Sequence, residues 1–197
     1  MPVTFAAPPP QVTQITQRQL QDMAQHKHFT IAPLAAAEPS KIELTSGHAV
    51  YNIGLSDLLS DKPITAAPST AWRFIVNAGT PDSAAAETHQ DPEQGIPIFA
   101  SINAGPFVNG TVAALKTLAT DPAFTKGDWE GRMIRIPALY IMAIWAHEKK
   151  TNADLIRVTA PVPAYLDANK TYTWPEFKAA LQEPAKQKLA NDDDTKG

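Results

Sequence analysis

Eighteen prolines stand against nine glycines in this chain of 197 residues. Proline fixes φ and has no backbone N–H, so it ends helices and is excluded from central strands. Because the prolines interrupt the chain at intervals, we expect short elements joined by stiff loops. The prolines gather at residues 8–10, 63–68, 92–97, 161–163 and 175–184.

The longest apolar run extends from Ile136 to Ala146. Its eleven residues are too few to cross a membrane, which takes about 20. Pro137 suits the first turn of a helix better than a central strand, and the lysines at 149–150 suit the C-terminal end of a helix. These features predict a strand at 132–136 followed by a buried helix at 138–149.

Three further segments show the spacing of a helix. The apolar residues of 107–119 recur every three or four positions and so lie on one face. Thr173 and Glu176 have the spacing of a capping box, with Pro175 in the first turn. The expected helices are 13–29, 107–119 and 173–182.

Strands are predicted where β-branched and aromatic residues cluster. The segments "AWRFIVN" and "IPIFASIN" give the strongest signals, and both end in Asn-Ala-Gly. The segments "KIELT" and "AVYNIGL" flank the turn residues Ser46 and Gly47, which predicts a hairpin. The two strongest segments are residues 71–77 and 96–103, with a polar loop at 82–95 between them, and two further strands are expected at 132–136 and 153–161.

The interspersed strands and helices predict an α+β fold. We expect a single domain in which an antiparallel or mixed sheet of about four to six short strands packs against three or four helices. Residues 13–184 form this domain, since a chain of this length can bury one core. Residues 1–12 and 185–197 lack apolar periodicity and are expected to be disordered.

Composition and charge exclude several classes of function. The net charge is −3 and the Lys and Arg residues are scattered, so we expect no binding of nucleic acid or of a membrane.

The chain has no cysteine, which excludes disulfides, thiolate metal ligands and a cysteine nucleophile. No secretory signal is recognised, so we expect a cytoplasmic location. No motif indicates a cofactor, and none is expected.

One short pattern occurs twice, in "RFIVNAGTP" (73–81) and in "FASINAGPF" (99–107). Each copy joins a strand to a turn and a proline, a junction at which backbone N–H groups can converge on an anion. Neither copy has the glycine spacing or the lysine of a phosphate loop. We therefore interpret the pattern as turn residues that end two strands, with a duplicated unit as the alternative.

Three arginines stand singly inside strand-like runs, namely Arg73, Arg135 and Arg157. Because side chains alternate between the two faces of a strand, these guanidinium groups share a face if their strands pair in one sheet. Three neighbouring cations require carboxylate partners or an external anion, which guanidinium binds in two-point contacts. The three residues are our candidate anion-binding site. The alternative is that each faces solvent separately.

A weaker candidate is a metal site in "ETHQDPE". Glu87, His89 and Asp91 occupy alternate positions, so in an extended segment they point to one side. Together they could hold a metal that prefers oxygen and nitrogen ligands. The alternative is a solvated loop that contains such residues by chance.

The segment "TSGHA" supplies Ser46 and His48, with Asp57 nearby. These are the residue types of a hydrolytic triad. No Gly-x-Ser-x-Gly nucleophile elbow accompanies them, so the sequence does not favour a serine hydrolase.

The lack of local catalytic signatures favours a non-catalytic binding or interaction protein, of bacterial origin by the order of its segments. Its expected partner is another protein or an anionic small molecule. The alternative is an enzyme or a small-molecule-binding domain whose site is assembled from distant residues, with an anion as the candidate ligand. A polar-lined cavity would favour the second hypothesis, and a large exposed apolar patch would favour an interaction surface.

Overall fold

A computed structural model describes residues 3–79, 84–91, 93–118 and 120–194, and nine strands of this part of the chain form one mixed sheet. The strands are β1 (Val3–Phe5), β2 (Glu43–Asn52), β3 (Ser69–Asn77), β4 (Ala84–Gln90), β5 (Pro97–Asn103), β6 (Trp129–Ile136), β7 (Ile141–Glu148), β8 (Asp154–Val158) and β9 (Thr171–Thr173). Their order is β5-β4-β3-β2-β6-β7-β8-β9, and β1 pairs with β6 beside this path. Strand β6 runs parallel to β1 and β2, whereas the other neighbours are antiparallel.

Four α-helices accompany these strands in the described residues. They are α1 (Pro10–Gln25), α2 (Leu55–Leu59), α3 (Pro106–Leu118) and α4 (Trp174–Asp194). Short 3₁₀ turns occur at Ala32–Leu34, Pro39–Lys41, Ile64–Ala66, Pro122–Phe124 and Pro137–Leu139. Four of these five turns contain a proline, which agrees with the expectation that prolines end the regular elements.

One face of the sheet is covered by α1 at one end and by α2 and α4 at the other. Val76 and Ala86 pack with Leu20 of α1. Further along the same face, Trp145 packs with Phe177 of α4. We call this side the α1/α4 face. Its two apolar clusters account for much of the core, because each buries large side chains completely.

The opposite face, which we call the α3 face, carries α3 as its one α-helix among the described residues. Ile75 and Ala85 contact Val108 of this helix. Helix α3 has 13 residues, so it is about 20 Å long at a rise of about 1.5 Å per residue. Nine strands spaced about 4.8 Å apart make a wider surface than that. Part of the α3 face beside the N-terminus of α3 therefore remains open.

The position of α3 depends on Gly110. A Cβ atom added at Gly110 would lie 1.9 Å from the carbonyl oxygen of Ala160, so the helix touches the backbone that follows β8. The next residue, Thr111, is buried and donates a hydrogen bond to the Phe107 carbonyl oxygen at 2.8 Å. These contacts fix the helix close to the sheet and set where its first residues lie.

The predicted helix at 138–149 is wrong, because Ile141–Glu148 is the central strand β7. Strand β7 is covered on both faces, so its sequence is continuously apolar and shows no alternation. Pro137 begins a 3₁₀ turn, and Tyr140 follows in the left-handed region with a φ of 53°. Within the described residues, no helix is long and apolar enough to cross a membrane.

The prediction of four to six strands is also wrong, since the sheet of this α+β fold has nine. The predicted hairpin around Ser46 and Gly47 is one strand, β2, which has an irregular register between Leu44 and Ser46. The predicted loop at 82–95 contains strand β4. Strand β4 was not predicted because it begins with three alanines, which have a low β propensity. Small side chains are needed there because α1 and α3 pack on the two faces of the strand.

Both ends that the sequence predicts to be disordered contain regular structure. Residues Val3–Phe5 form β1, and helix α1 begins at Pro10. Helix α4 continues through Pro184 to Asp194. The sequence concealed β1 because three residues show no periodicity, and they are ordered by parallel pairing with β6 rather than by a local pattern.

We expect Ile144→Asp to unfold the protein. Ile144 is fully buried in β7, and an aspartate there would leave an unpaired charge out of water, at a cost of more than about 3 kcal/mol in unfolding free energy. Ile98→Asp is the matched control, because Ile98 is 49% exposed. Thermal melts followed by circular dichroism should show a lost or strongly lowered transition for the first variant only. A wild-type midpoint for Ile144→Asp would contradict the buried position of β7.

Gly110→Ala should destabilise the fold by about 1–3 kcal/mol, the usual cost of forcing an added methyl group into packed atoms. The same change at Gly54 is the control, since a Cβ there would meet nothing closer than 3.4 Å. Chemical denaturation of both variants gives the comparison. Equal unfolding free energies for the two would show that α3 does not contact Ala160 as described.

Candidate functional site

The open part of the α3 face holds a cavity of about 430 Å³. It lies where strands β3, β4 and β5 face the turn between β6 and β7, and the first residues of α3 form one wall. Its lining is polar at Arg73, Glu87, Ser101, Asn103 and Arg135, and apolar at Ala104, Pro106, Phe107, Pro137, Tyr140, Ile141 and Met142. The volume is in the range of small-molecule sites.

Strand register brings the polar side chains together. Arg73 of β3 lies directly opposite Glu87 of β4, and Glu87 lies opposite Ser101 of β5. Side chains at directly opposed positions point to the same face, so these three form a row across the sheet. Arg135 extends from β6 toward the same row and reaches Glu87.

One carboxylate accepts hydrogen bonds from two arginines. The guanidinium groups of Arg73 and Arg135 both donate to Oε1 of Glu87. Arg73 also donates from Nη2 to Oδ1 of Asn103 at 3.1 Å. The side chains of Arg73 and Glu87 are 2% and 5% exposed, whereas Arg135 is 24% exposed. Arg135 is therefore the arginine that solvent or a ligand can reach.

The two arginines keep Glu87 ionised. Burial by itself would raise the pKa of Glu87, but the charges and hydrogen bonds of Arg135 and Arg73 outweigh burial and lower the pKa below its usual value. Burial also lowers the pKa of Arg73, and Glu87 opposes that effect. Two guanidinium groups and one carboxylate therefore leave the polar end of the cavity with a net charge of +1 from these three groups.

Hydrogen-bond donors exceed acceptors at this end. The Nε–H of Arg73 is buried and has no partner in the described part of the chain. The guanidinium of Arg135 makes no hydrogen bond to a described residue other than that to Glu87. The Ser101 hydroxyl and the Asn103 amide nitrogen likewise have no described partner. A ligand that supplies acceptors would satisfy this set.

The rest of the cavity lining is apolar. Met142 belongs to a buried cluster with Val50 and Met133, and Phe107 packs against that cluster. Tyr140 stands at the rim and is 77% exposed, in contrast to the other large apolar side chains of the lining. Because Met142 lies directly opposite Arg135 in the sheet, the apolar side chains begin next to the charged ones.

The structure brings together two of the three candidate arginines. Arg157 lies opposite Ile144 in the sheet and so shares the α3 face, as alternation predicts. Its guanidinium, however, donates to the carbonyl oxygen of Asn169 at 2.7 Å and lies 3.8 Å from Asp121 Oδ2. Arg157 does not line the cavity, because β7 and β8 place it on the far side of α3.

The proposed metal ligands are used in other ways. His89 Nε2 lies 3.7 Å from Glu87 Oε2, while Glu87 Oε1 is occupied by the arginines. Asp91 Oδ1 accepts hydrogen bonds from the backbone N–H groups of Glu93 and Gln94 and so holds a turn. Within residues 3–79, 84–91, 93–118 and 120–194, no three His, Asp or Glu side chains are grouped to hold a metal ion.

The two Asn-Ala-Gly segments have different surroundings. In the first, Asn77 Oδ1 accepts a hydrogen bond from the Gly79 N–H at 2.9 Å. The asparagine side chain thus forms an Asx turn. In the second, Asn103 and Ala104 line the cavity and Gly105 has a φ of 114° just before α3. The second copy thus contributes to the site through its asparagine side chain.

Ser46 and His48 are in contact, but no triad forms. Ser46 Oγ and His48 Nε2 are 2.8 Å apart. His48 Nδ1 is buried without a described partner, and Asp57 pairs with Lys62 instead. Burial, together with the charge of Arg73, lowers the pKa of His48 from 6.5 to about 4. The imidazole is therefore a neutral core group that lies opposite Arg73 in the sheet.

Sequence reasoning missed several lining residues. Ser101, Phe107 and Tyr140 carry no local signature, because their role comes from β5, α3 and the β6–β7 turn meeting in space. Glu87 was selected for a metal site rather than as the partner of the arginines. The pairing of β4 with β3 would have identified Glu87 as the partner of Arg73, but the sequence predicts a loop where β4 lies.

Comparison with known proteins adds no relative: no protein-family model, curated protein or solved structure matches this chain.

Acidification should destabilise the protein through His48. Its folded pKa of about 4 lies below its unfolded value of 6.5, so the unfolded state binds more protons between these values and stability falls as the pH falls. The loss between pH 7 and pH 5 is about 2 kcal/mol. Denaturant titrations at both pH values measure it, and His48→Gln should flatten the dependence.

The control for this experiment is His28→Gln, because His28 is exposed. Glu87 titrates below this window, since its pKa is lowered from 4.5, and so does not account for the difference. An unchanged pH dependence in His48→Gln would contradict a neutral buried His48.

Proposed function

We propose that the protein binds a small organic anion in the cavity of the α3 face without chemically changing it. The observation that carries the proposal is the sharing of one buried carboxylate, Glu87, by Arg73 and Arg135 at the cavity wall. The sequence favours a non-catalytic binding role, and the proposal agrees with that. The anionic small-molecule ligand belongs to the alternative hypothesis from the sequence.

Charge supports an anionic ligand. The three ionised groups at the polar end sum to +1, and only part of Arg135 is exposed to screening by water. A partly buried guanidinium gains more from an anion than a surface one does, because the local dielectric is lower. The unpaired donors of Ser101 and Asn103 add neutral hydrogen bonds beside that charge.

The same groups are poorly suited to proton transfer. A general base needs a pKa near the working pH and an available lone pair. Glu87 has a lowered pKa, and its Oε1 is engaged by two guanidinium groups. Arginine remains protonated in proteins. These properties favour holding a charge over moving a proton.

An interaction surface has less support. Among the described residues, the exposed large apolar side chains are Ile96, Ile98, Tyr140, Tyr165 and Leu189. Ile96 and Ile98 lie at the start of β5, and the other three belong to different segments of the chain. Such scattered side chains give less support to an interaction surface than a continuous patch of several hundred Å² would.

Removing the exposed cation should weaken anion binding at least tenfold. Arg135→Met removes a charge-assisted hydrogen bond worth about 1.5–3 kcal/mol and keeps the apolar stem. Isothermal titration calorimetry with benzoate and with phenyl phosphate measures the effect. Glu87→Gln is expected to destabilise the protein instead, because it leaves the buried Arg73 without an ionised partner.

Arg18→Met is the control, since Arg18 is exposed on α1 at the other face of the sheet. Melting curves establish that each variant is folded. If neither anion binds the wild-type protein, or if Arg135→Met binds both as well as Arg18→Met does, the proposed function is wrong.

A further inference from the structure

We propose that the ligand is a monocarboxylate with a flat apolar body, bound with its carboxylate against Arg135 and its body between Phe107, Met142 and Tyr140. This inference rests on the proposed function and narrows it to one class of organic anion.

The charge of the cavity selects a monoanion. Arg73, Arg135 and Glu87 contribute a net +1. One carboxylate brings this sum to zero. A dianion would leave an excess negative charge next to Glu87, whose side chain is 5% exposed and cannot be screened well by water.

The donors match a carboxylate in number and shape. Arg135 gives one of its N–H groups to Glu87, and the rest of its planar fork is free of described partners. Such a fork binds the two oxygens of a carboxylate side by side. Asn103 and Ser101 also line the cavity and supply an amide group and a hydroxyl group as neutral donors. A phosphate has three oxygens and favours more than one accessible cation, and Arg73 is 2% exposed.

The apolar part of the lining has few hydrogen-bonding side-chain groups apart from the Tyr140 hydroxyl. Pro106 and Pro137 belong to it and have no backbone N–H. Phe107 and Met142 present an aromatic ring and a thioether, which pack against apolar or aromatic groups. A ligand that fills the cavity therefore has a polar head and an apolar body.

Tyr140 makes a flat body favourable. Its φ of 53° lies in the left-handed region, which L residues seldom adopt, and it holds a largely exposed ring at the rim. An aromatic side chain exposed at a cavity mouth gains contact area when a flat ligand stacks on it.

Titration calorimetry at pH 7.5 with six probes tests the inference. The probes are 3-phenylpropionate, its neutral amide, phenyl phosphate and the series acetate, butyrate and hexanoate. Phenyl phosphate is largely dianionic at this pH, because the second pKa of such esters is about 6. We expect 3-phenylpropionate to bind at least tenfold more tightly than the amide or phenyl phosphate. Affinity in the aliphatic series should rise about fourfold per buried methylene.

Two variants assign the ends of the ligand. Arg135→Met should abolish the preference for the acid over the amide. Tyr140→Asn should weaken 3-phenylpropionate about two- to tenfold, and it should fold, because asparagine tolerates the left-handed backbone and Tyr140 is exposed. Arg18→Met should behave as the wild type.

Each other outcome is decisive. Tighter, Arg135-dependent binding of phenyl phosphate would overturn the monocarboxylate and leave the proposed function standing. Equal affinity for acetate and hexanoate, or an unchanged affinity in Tyr140→Asn, would overturn the apolar body. Failure of every anion to bind would refute the proposed function and this inference with it.

Discussion

The buried pair of Arg73 and Glu87 is the interaction around which the site is organised. An arginine that is 2% exposed is tolerated only with an ionised partner, and the pairing of β3 with β4 places that partner directly opposite. Glu87 also accepts a hydrogen bond from Arg135 of β6, which is the third strand from β4 in the sheet. One carboxylate cannot neutralise two guanidinium groups, so the core itself creates a positive charge at a place where the sheet is open to solvent.

The opening in turn follows from the uneven covering of the sheet. Three helices share the α1/α4 face, whereas the α3 face has one helix of 13 residues in the described part of the chain. Gly110 lets that helix approach the backbone at Ala160, which fixes its N-terminal residues beside the cavity. The apolar wall of the cavity thus results from close packing of α3 on the sheet. The charged wall results from the need to pair a buried charge.

Local patterns were sufficient for some elements and not for others. Strands β3 and β5 could be predicted because β-branched and aromatic residues cluster in them, and helix α3 because its apolar residues recur with a helical period. The capping box of α4 is present as predicted, with the Thr173 N–H donating to Glu176 Oε2 at 2.9 Å. Strand β7 could not be distinguished from a helix, since burial on both faces removes alternation. Strand β4 starts with alanines, and its identity depends on the helices that pack against it.

The site shows the same division. Alternation correctly placed Arg157 on the α3 face with Ile144, but no property of the sequence indicates that Asn169 and Asp121 occupy its guanidinium. The partnership of Glu87 with the arginines depends on strand order, which single-sequence patterns do not contain. Ser101 and Tyr140 reach the cavity only because β5 and the β6–β7 turn converge.

The pairing of β1 has a consequence for how the chain assembles. Val3 aligns with Trp129, so a three-residue strand near the beginning of the chain finds its partner more than a hundred residues later. Closing so long a loop costs chain entropy before any ladder bond forms. Strands β2 to β5 all precede β6 in the chain, so their antiparallel contacts can form before the partner of β1 has been synthesised.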